Sequence, residues 1–402
     1  MKGLLLKDWY MVVKYCKAYL LICLVFIGVS IMSDDNFFFI LYPCILCGMI
    51  PVTLLGYDER SKWDQYCAAL PYTKAQIVSG KYLLGMGTQI GMLLLNAVIL
   101  AIRFSRDMEL PQAVYYGIFH SISAFCNAGF DLMGKDGAYI SLTQYSGDWV
   151  VNLVIMLLII IGGIGFFIWG DISENQLHFR KYRLHTKITI LMTLFLIFGG
   201  AVILFILEYY NTIAGRPLNE QILCSLFGSV TARTAVFNTV DTGALTDSSK
   251  LVTILLMFIG GSPGSTAGGI KTTTAVVLIA HVYAGLFDKK ECSMFGRRIG
   301  EDAVRKASTV LCTNLMLCAA AVVIIVTATS IDVTDVMFEV ASAMGTVGMS
   351  AGITRDLDTI SKLVLIFLMF CGRVGSFTFA LSMKGHKVDP PVKLPEEEVM
   401  VG

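Results

Sequence analysis

Three stretches of this chain repeat one pattern: a run of small and apolar residues, then a three-residue tip, then Phe or Met. They span residues 121–130, 226–238 and 340–349, and their tips are Asn127-Ala128-Gly129, Thr234-Ala235-Val236 and Thr346-Val347-Gly348. The copies start roughly 110 residues apart, and repetition at a fixed period constrains a fold more than any local propensity does. Each tip sits in the same frame of a long apolar segment, a short one, the tip, and a second long one. The frame reads 82–104, 112–126 and 149–169; then 188–209, 219–232 and 251–286; then 307–330, 333–344 and 360–381. The short members fall below the ~20 residues that a straight helix needs to cross a bilayer. With 55% hydrophobic and only 15% charged residues, against about 25% charged in a soluble domain, the chain could not cover a soluble surface. It reads as an all-α integral membrane protein.

Irregular backbone at membrane depth is tolerated only where it is buried in protein or lines a watery path. Three tips in equivalent places therefore argue for a pore. The loops after each second long segment are basic: His178-Phe-Arg-Lys-Tyr-Arg-Leu-His-Thr-Lys187, and a second with Lys289, Lys290, Arg297, Arg298, Arg305 and Lys306. The tip-side loops carry Asp107, Glu109, Asp131, Asp136, Asp148, Asp241, Asp247, Asp332, Asp335, Asp356 and Asp358. The positive-inside rule then puts the basic loops in the cytoplasm and opens the tips outward. The acids either form a vestibule that concentrates cations or merely solvate loop ends. A cation leaving water needs oxygens in place of its hydration shell, and backbone carbonyls aimed at one axis supply them. Gly suits the turn of such a tip because it admits backbone angles that a side chain blocks. The C-terminal ends of the short helices would add partial negative charge.

Two further features lie inside the membrane segments. Gly260-Gly-Ser-Pro-Gly-Ser-Thr-Ala-Gly-Gly-Ile-Lys271 interrupts a helical run with five Gly and a Pro, which break a helix. A phosphate-cradling loop fits poorly, since the spacing before its Lys-Thr pair is wrong; a gate and a mere kink remain. Arg373, in Phe370-Cys-Gly-Arg-Val-Gly-Ser-Phe377, is a charge inside the last span. Intramembrane charge is functional by default, though a snorkelling Arg is the alternative.

Residues 88–384 resemble the Trk/Ktr/HKT family of potassium transporters. The resemblance rests on His120-Ser-Ile-Ser-Ala-Phe-Cys-Asn-Ala-Gly-Phe-Asp131, Thr231-Ala-Arg-Thr-Ala-Val-Phe-Asn-Thr-Val-Asp241, Gly345-Thr-Val-Gly-Met-Ser-Ala-Gly-Ile-Thr354 and the Gly260–Lys271 stretch. It implies a potassium-channel-like pore of helix–pore-helix–helix repeats. Asn127, Ala128, Gly129, Thr234, Ala235, Val236, Thr346, Val347 and Gly348 would form the selectivity filter that holds potassium. Gly260, Gly261, Ser262, Pro263, Gly264, Ser265, Thr266, Ala267, Gly268 and Gly269 would form an intramembrane gate loop, and Arg373 an electrostatic barrier beneath the filter. The resemblance further implies a homodimer on a cytoplasmic nucleotide-binding ring, with nucleotide held only by that partner and no covalent cofactor.

The chain departs from the family pattern twice. A fourfold pore needs four tips, and three of four repeats are found. Val236 stands where the tip calls for Gly, and β-branched residues resist positive φ, so a distorted filter, sodium leak or lost conduction would follow. In place of the first repeat, residues 1–86 resemble an ABC-2-type transporter permease, through Met1-Lys-Gly-Leu-Leu-Leu-Lys-Asp-Trp9, Leu55-Gly-Tyr-Asp-Glu-Arg-Ser-Lys-Trp-Asp64 and Leu70-Pro-Tyr-Thr-Lys-Ala-Gln-Ile-Val-Ser-Gly-Lys-Tyr82. The domains expected are thus 1–86 with two spans (18–32 and 37–55), pore repeats 87–170, 171–286 and 287–384, and a cytoplasmic tail 385–402. An ABC-2-type export permease, or a non-conducting chimera, is the alternative to potassium uptake at the cytoplasmic membrane. Nothing points to an enzyme: the five His are scattered, Cys44 and Cys47 read as apolar thiols in a helix, and no cleavable leader is evident. A net charge of +1 argues against nucleic acid as a partner.

Overall fold

The computed structural model describes Tyr10, Gly91 and, from Leu93 to Gly375, all residues but Asp136, Ala138, Tyr139, Gln176, Leu177 and Lys290. Apart from Tyr10, the segment 1–86 with its two expected spans, Cys44 and Cys47, the end of the last span beyond Gly375, and the tail 385–402 lie outside the described residues.

Within that range the chain is helical. Helix α1 covers Leu93–Phe104, α2 Leu110–Phe125, α3 Trp149–Ile164, α4 Phe166–Asn175, α5 Leu184–Glu208 and α6 Leu218–Thr231. Then come α7 Asp247–Phe258, α8 Thr272–Leu286, α9 Glu301–Ala328, α10 Val333–Gly345 and α11 Thr359–Val374. A two-stranded hairpin, β1 Ser293–Met294 and β2 Arg297–Arg298, joins α8 to α9. Helices α5 and α9 have 25 and 28 residues, enough to cross a bilayer. Only 28% and 17% of their most apolar windows are buried within the protein. A core helix of a soluble protein would be mostly buried; here Phe195, Phe198, Val202 and Ile206 on α5, and Leu363, Ile366 and Phe370 on α11, face outward. Such faces are stable only against lipid.

The tip-side acids largely explain the helix starts. Asp148 caps α3 through Val151 N at 3.0 Å, and Asp332 caps α10 through Thr334 N at 3.0 Å. Asp358 accepts from Ser361 N and Ile360 N at the start of α11. Hydrogen bonds from Ser361 hold the Asp358 carboxyl below its ordinary value. A carboxylate at a helix N-terminus meets orphan N–H donors and a favourable dipole. Thr246 does the same for α7, accepting from Ser249 N, and Pro111 lies in the first turn of α2, where its missing N–H costs nothing.

Two breaks position the site. The continuous span expected over 149–169 is instead split at Gly165, whose φ is +95°. The reason is a close approach: a Cβ there would lie 2.5 Å from the Pro263 carbonyl. The run 251–286 is broken between α7 and α8, as its Gly and Pro content demands. Each helix that ends at a tip packs on its neighbours in the frame: α2 on α3, α6 between α5 and α3, and α10 among α7, α9 and α11. Three apolar clusters fill the gaps. One joins α1, α2, α3 and α6 around Phe104, Ile155 and Phe237; one joins α9, α10 and α11 around Ile325 and Leu368; one joins α5, α7 and α10 around Met257 and Phe338.

Candidate functional site: three tips above a broken helix

Each tip begins where a short helix ends, and the three share one backbone pattern. The first residues have positive φ: Asn127 at 49°, Thr234 at 81° and Thr346 at 52°. So do the third: Gly129 at 66°, Val236 at 70° and Gly348 at 87°. The middle residues, Ala128, Ala235 and Val347, do not. Their N–H groups donate back into the short helix, to Ser123 O at 2.9 Å, Thr231 O at 3.0 Å and Ser342 O at 2.8 Å. Hydroxyls fasten the exit side of two tips: Ser123 Oγ donates to Phe130 O at 2.8 Å, and Thr231 Oγ1 to Phe237 O at 2.6 Å. Each tip thus alternates positive and negative φ, a backbone compatible with carbonyls set on one side of the chain as a ring around an ion requires; in the second tip the Ala235 carbonyl also accepts from Phe237 N at 2.9 Å.

The side-chain oxygens of the first tip residues form a second set. Asn127 Oδ1, Thr234 Oγ1 and Thr346 Oγ1 are each buried without a hydrogen-bond partner among the described residues. Buried polar atoms are normally paired; of the twelve buried side-chain atoms without a partner among the described residues, these three stand at the same tip position. The tips also meet one another. A Cβ on Gly129 would overlap the Val236 side chain, and one on Gly348 would lie 2.9 Å from Val236 Cγ2.

The loop between α7 and α8 lies against all three tips. Asn127 Nδ2 donates to Thr266 Oγ1 at 3.1 Å. Arg233, just before the second tip, reaches the Gly260 carbonyl and Thr193 Oγ1, both at 3.5 Å. Gly268 packs so closely on Thr346 that a Cβ would overlap its hydroxyl. Thr266 is the busiest loop residue: its N–H and hydroxyl lie 3.2 and 3.1 Å from Gly162 O on α3, and its carbonyl accepts from Arg373 Nη1 at 2.7 Å. Lys271 Nζ donates to Ala267 O at 2.6 Å. The loop is pinched at its neck, where Gly260 N donates to Ile270 O at 2.8 Å and Thr272 N to Gly261 O at 3.2 Å. Thus the loop touches Asn127 of the first tip, Thr346 of the third and the arginine that precedes the second, and Arg373 reaches the loop with its side chain exposed.

Several acids expected in a vestibule hold structural positions. Asp148 and Asp107 pair with Arg103, Asp335 pairs with Lys250 at 2.7 Å, and Asp241 accepts from Gly243 N at 2.9 Å. Burial, with help from Asp107, pushes the Tyr145 hydroxyl beside them up to about 12. His120 is a core residue among Phe104, Tyr116 and Phe237, its Nδ1 2.7 Å from Tyr116 O.

Sequence reasoning missed Arg233 and Lys271, although both stand in the motifs it singled out. It also missed a glycine pair. Gly162 on α3 and Gly372 on α11 each press on the last turn of a short helix; a Cβ would overlap Phe125 O and Met344 O respectively. The signal was available: Gly162-Gly163-Ile164-Gly165, Gly260-Gly261-Ser262-Pro263 and Gly372-Arg373-Val374-Gly375 occupy the same place in the frame.

A bundle of helices with lipid-facing apolar sides, built around tips that hold unpaired oxygens, defines a multi-pass helical membrane transport protein. The sequence profile of one family, TrkH, described as cation transport protein, matches residues 78–387, and the chain belongs to that family. The potassium/sodium uptake protein NtpJ of Enterococcus hirae is 37% identical over 315 residues, which make up 77% of this chain and 68% of that protein. The Ktr system potassium uptake protein B of Bacillus subtilis is 38% identical over 311 residues, again 77% of this chain and 68% of that one. Among solved structures, the potassium transporter TrkH of Vibrio parahaemolyticus shares the fold, with a TM-score of 0.61 at 17% identity over 86% of this chain and 72% of that chain.

Proposed function

We propose that the chain is the ion-translocating subunit of a Trk/Ktr-type uptake system and carries potassium, or a monovalent cation of similar size, down its electrochemical gradient. The observation that carries this reading is the set of three unpaired buried oxygens on Asn127, Thr234 and Thr346, one per tip and followed in each by the same alternation of φ. A dehydrated monovalent cation is the partner that suits neutral oxygens arranged so. The two relatives named above carry the names of a potassium and of a potassium/sodium uptake protein. In this reading the nine tip residues are the selectivity filter of pore repeats 87–170, 171–286 and 287–384. Residues 260–269 are the gate on its cytoplasmic side, and Arg373 sets a barrier to cations there. Residues 1–86 stand in place of a first repeat and resemble an ABC-2-type permease. The working unit is a homodimer on a nucleotide-binding ring, and that ring holds the nucleotide.

The test is growth of a potassium-uptake-deficient bacterium on limiting potassium, with rubidium uptake measured in the same cells. Rescue by the chain or by Val236→Gly supports the reading. Failure of both, with the protein present in the membrane, overturns it.

A further inference from the structure

Val236 is the third residue of its tip, at the position that Gly129 and Gly348 hold in the others. All three have positive φ. For the glycines this is unremarkable. For a β-branched residue the left-handed region is strongly disfavoured, so the fold holds Val236 against its own preference. Its side chain has a definite place. A Cβ built on Gly129 runs into both the Ala235 carbonyl oxygen and the Val236 isopropyl group, and one built on Gly348 comes within 2.9 Å of Val236 Cγ2 and 3.6 Å of Cγ1. The faces from which side chains would project at the two glycines are therefore turned toward one common space, and Val236 stands in it. It is neither buried nor fully exposed, as befits a group that fills part of an opening. Its neighbours on the tip are anchored: Ala235 N donates to Thr231 O, and Phe237 is fully buried. The isopropyl group cannot be carried aside without unpacking that anchor.

We propose that Val236 is an apolar constriction in the ion path, set where the three tips converge, and that it limits flux through this chain. The inference rests on the reading of the tips as a filter. An apolar group in a narrow passage offers a cation no oxygen to replace its water, and it narrows the passage as well, so it raises the barrier twice over. Removing the side chain relieves both effects and the backbone strain together. A change that merely damages the fold lowers flux; removal of a constriction raises it, so the direction separates the two.

The experiment compares initial rubidium uptake by the full chain, Val236→Ala and Val236→Gly at matched membrane levels in the potassium-uptake-deficient strain. The expected result is an order, glycine above alanine above the natural chain, with glycine faster by about tenfold or more, the gain that removal of a modest barrier brings. Equal uptake by all three, or uptake that falls as the side chain shrinks, overturns the constriction and leaves the transport reading standing. No rubidium uptake by any of the three overturns the transport reading and the constriction with it. If the glycine variant does not accumulate, the alanine variant decides: uptake above the natural chain supports the constriction, and uptake at or below it overturns the proposal.

Discussion

Glu208 closes α5 with a buried carboxylate that accepts five hydrogen bonds. They come from Asn211 Nδ2 at 2.8 Å, Thr212 N at 3.3 Å, Thr212 Oγ1 at 2.7 Å, Thr246 N at 2.9 Å and Thr246 Oγ1 at 2.8 Å. One side chain thus joins the end of α5 to the start of α7. Glu208→Ala leaves those donors unpaired, and hydrogen bonds to a charge are the costly ones to lose, so a loss of about 3 kcal/mol or more is expected. Glu208→Gln, which keeps an acceptor on one side, should lose roughly half as much. Thermal melting of the purified protein in detergent, read by circular dichroism, separates the two. Glu339 does a similar job inside α10, accepting from the Ser350 and Thr354 hydroxyls. Arg233 is the contrasting case. Among the described residues its Nε has no partner, and its Nη2 touches neutral oxygens rather than a carboxylate. The dipoles of that carbonyl and hydroxyl are the contacts those residues offer its charge.

Among the elements, the short helices are set in place by glycines on their neighbours. Gly372 on α11 lets the backbone approach the end of α10 at Met344, two residues before the third tip. Small residues serve this purpose between membrane helices. Gly372→Ala should cost about 1–3 kcal/mol by overpacking and should lower rubidium uptake, since Thr346 must shift with Met344. Gly199→Ala on α5, where a Cβ meets nothing within 4 Å, is the control; it should leave the melt unchanged or raise it by up to about 1 kcal/mol. The long-short-long frame was legible in the sequence because apolar length and Gly-rich tips are local properties. So was the interruption at 260–271. The split at Gly165 was not, because its cause is the Pro263 carbonyl, which lies about a hundred residues away. The acids stayed between two readings for a related reason: a run of Asp on one side of a membrane looks alike whether it faces ions or caps helices, and the partner atoms show which of them cap helices or pair with bases. Val236 was legible as an anomaly, whereas the space its side chain enters is defined by two other tips.

At the scale of the molecule, the apolar outer faces of α5, α9 and α11 suit a bilayer, and we propose from the loop charge that the tips open outward. Labelling with a membrane-impermeant maleimide tests the direction. In a cysteine-free background, Ala244→Cys, in the loop before α7, should react on intact cells. Ser293→Cys, in the hairpin before α9, should react only after permeabilisation; the reverse pattern means the opposite orientation. The pinched neck of the loop between α7 and α8 has a consequence for how such a protein can vary. Because Gly260 and Gly261 are bonded to Ile270 and Thr272, the chain departs from the line of the helices and rejoins it at nearly the same point. The alignment of α7 with α8 is therefore independent of how many residues the excursion contains. What holds the excursion to one length and composition is not the helices it joins but the surfaces it touches, Gly162 and Asn127 at Thr266 and Thr346 at Gly268.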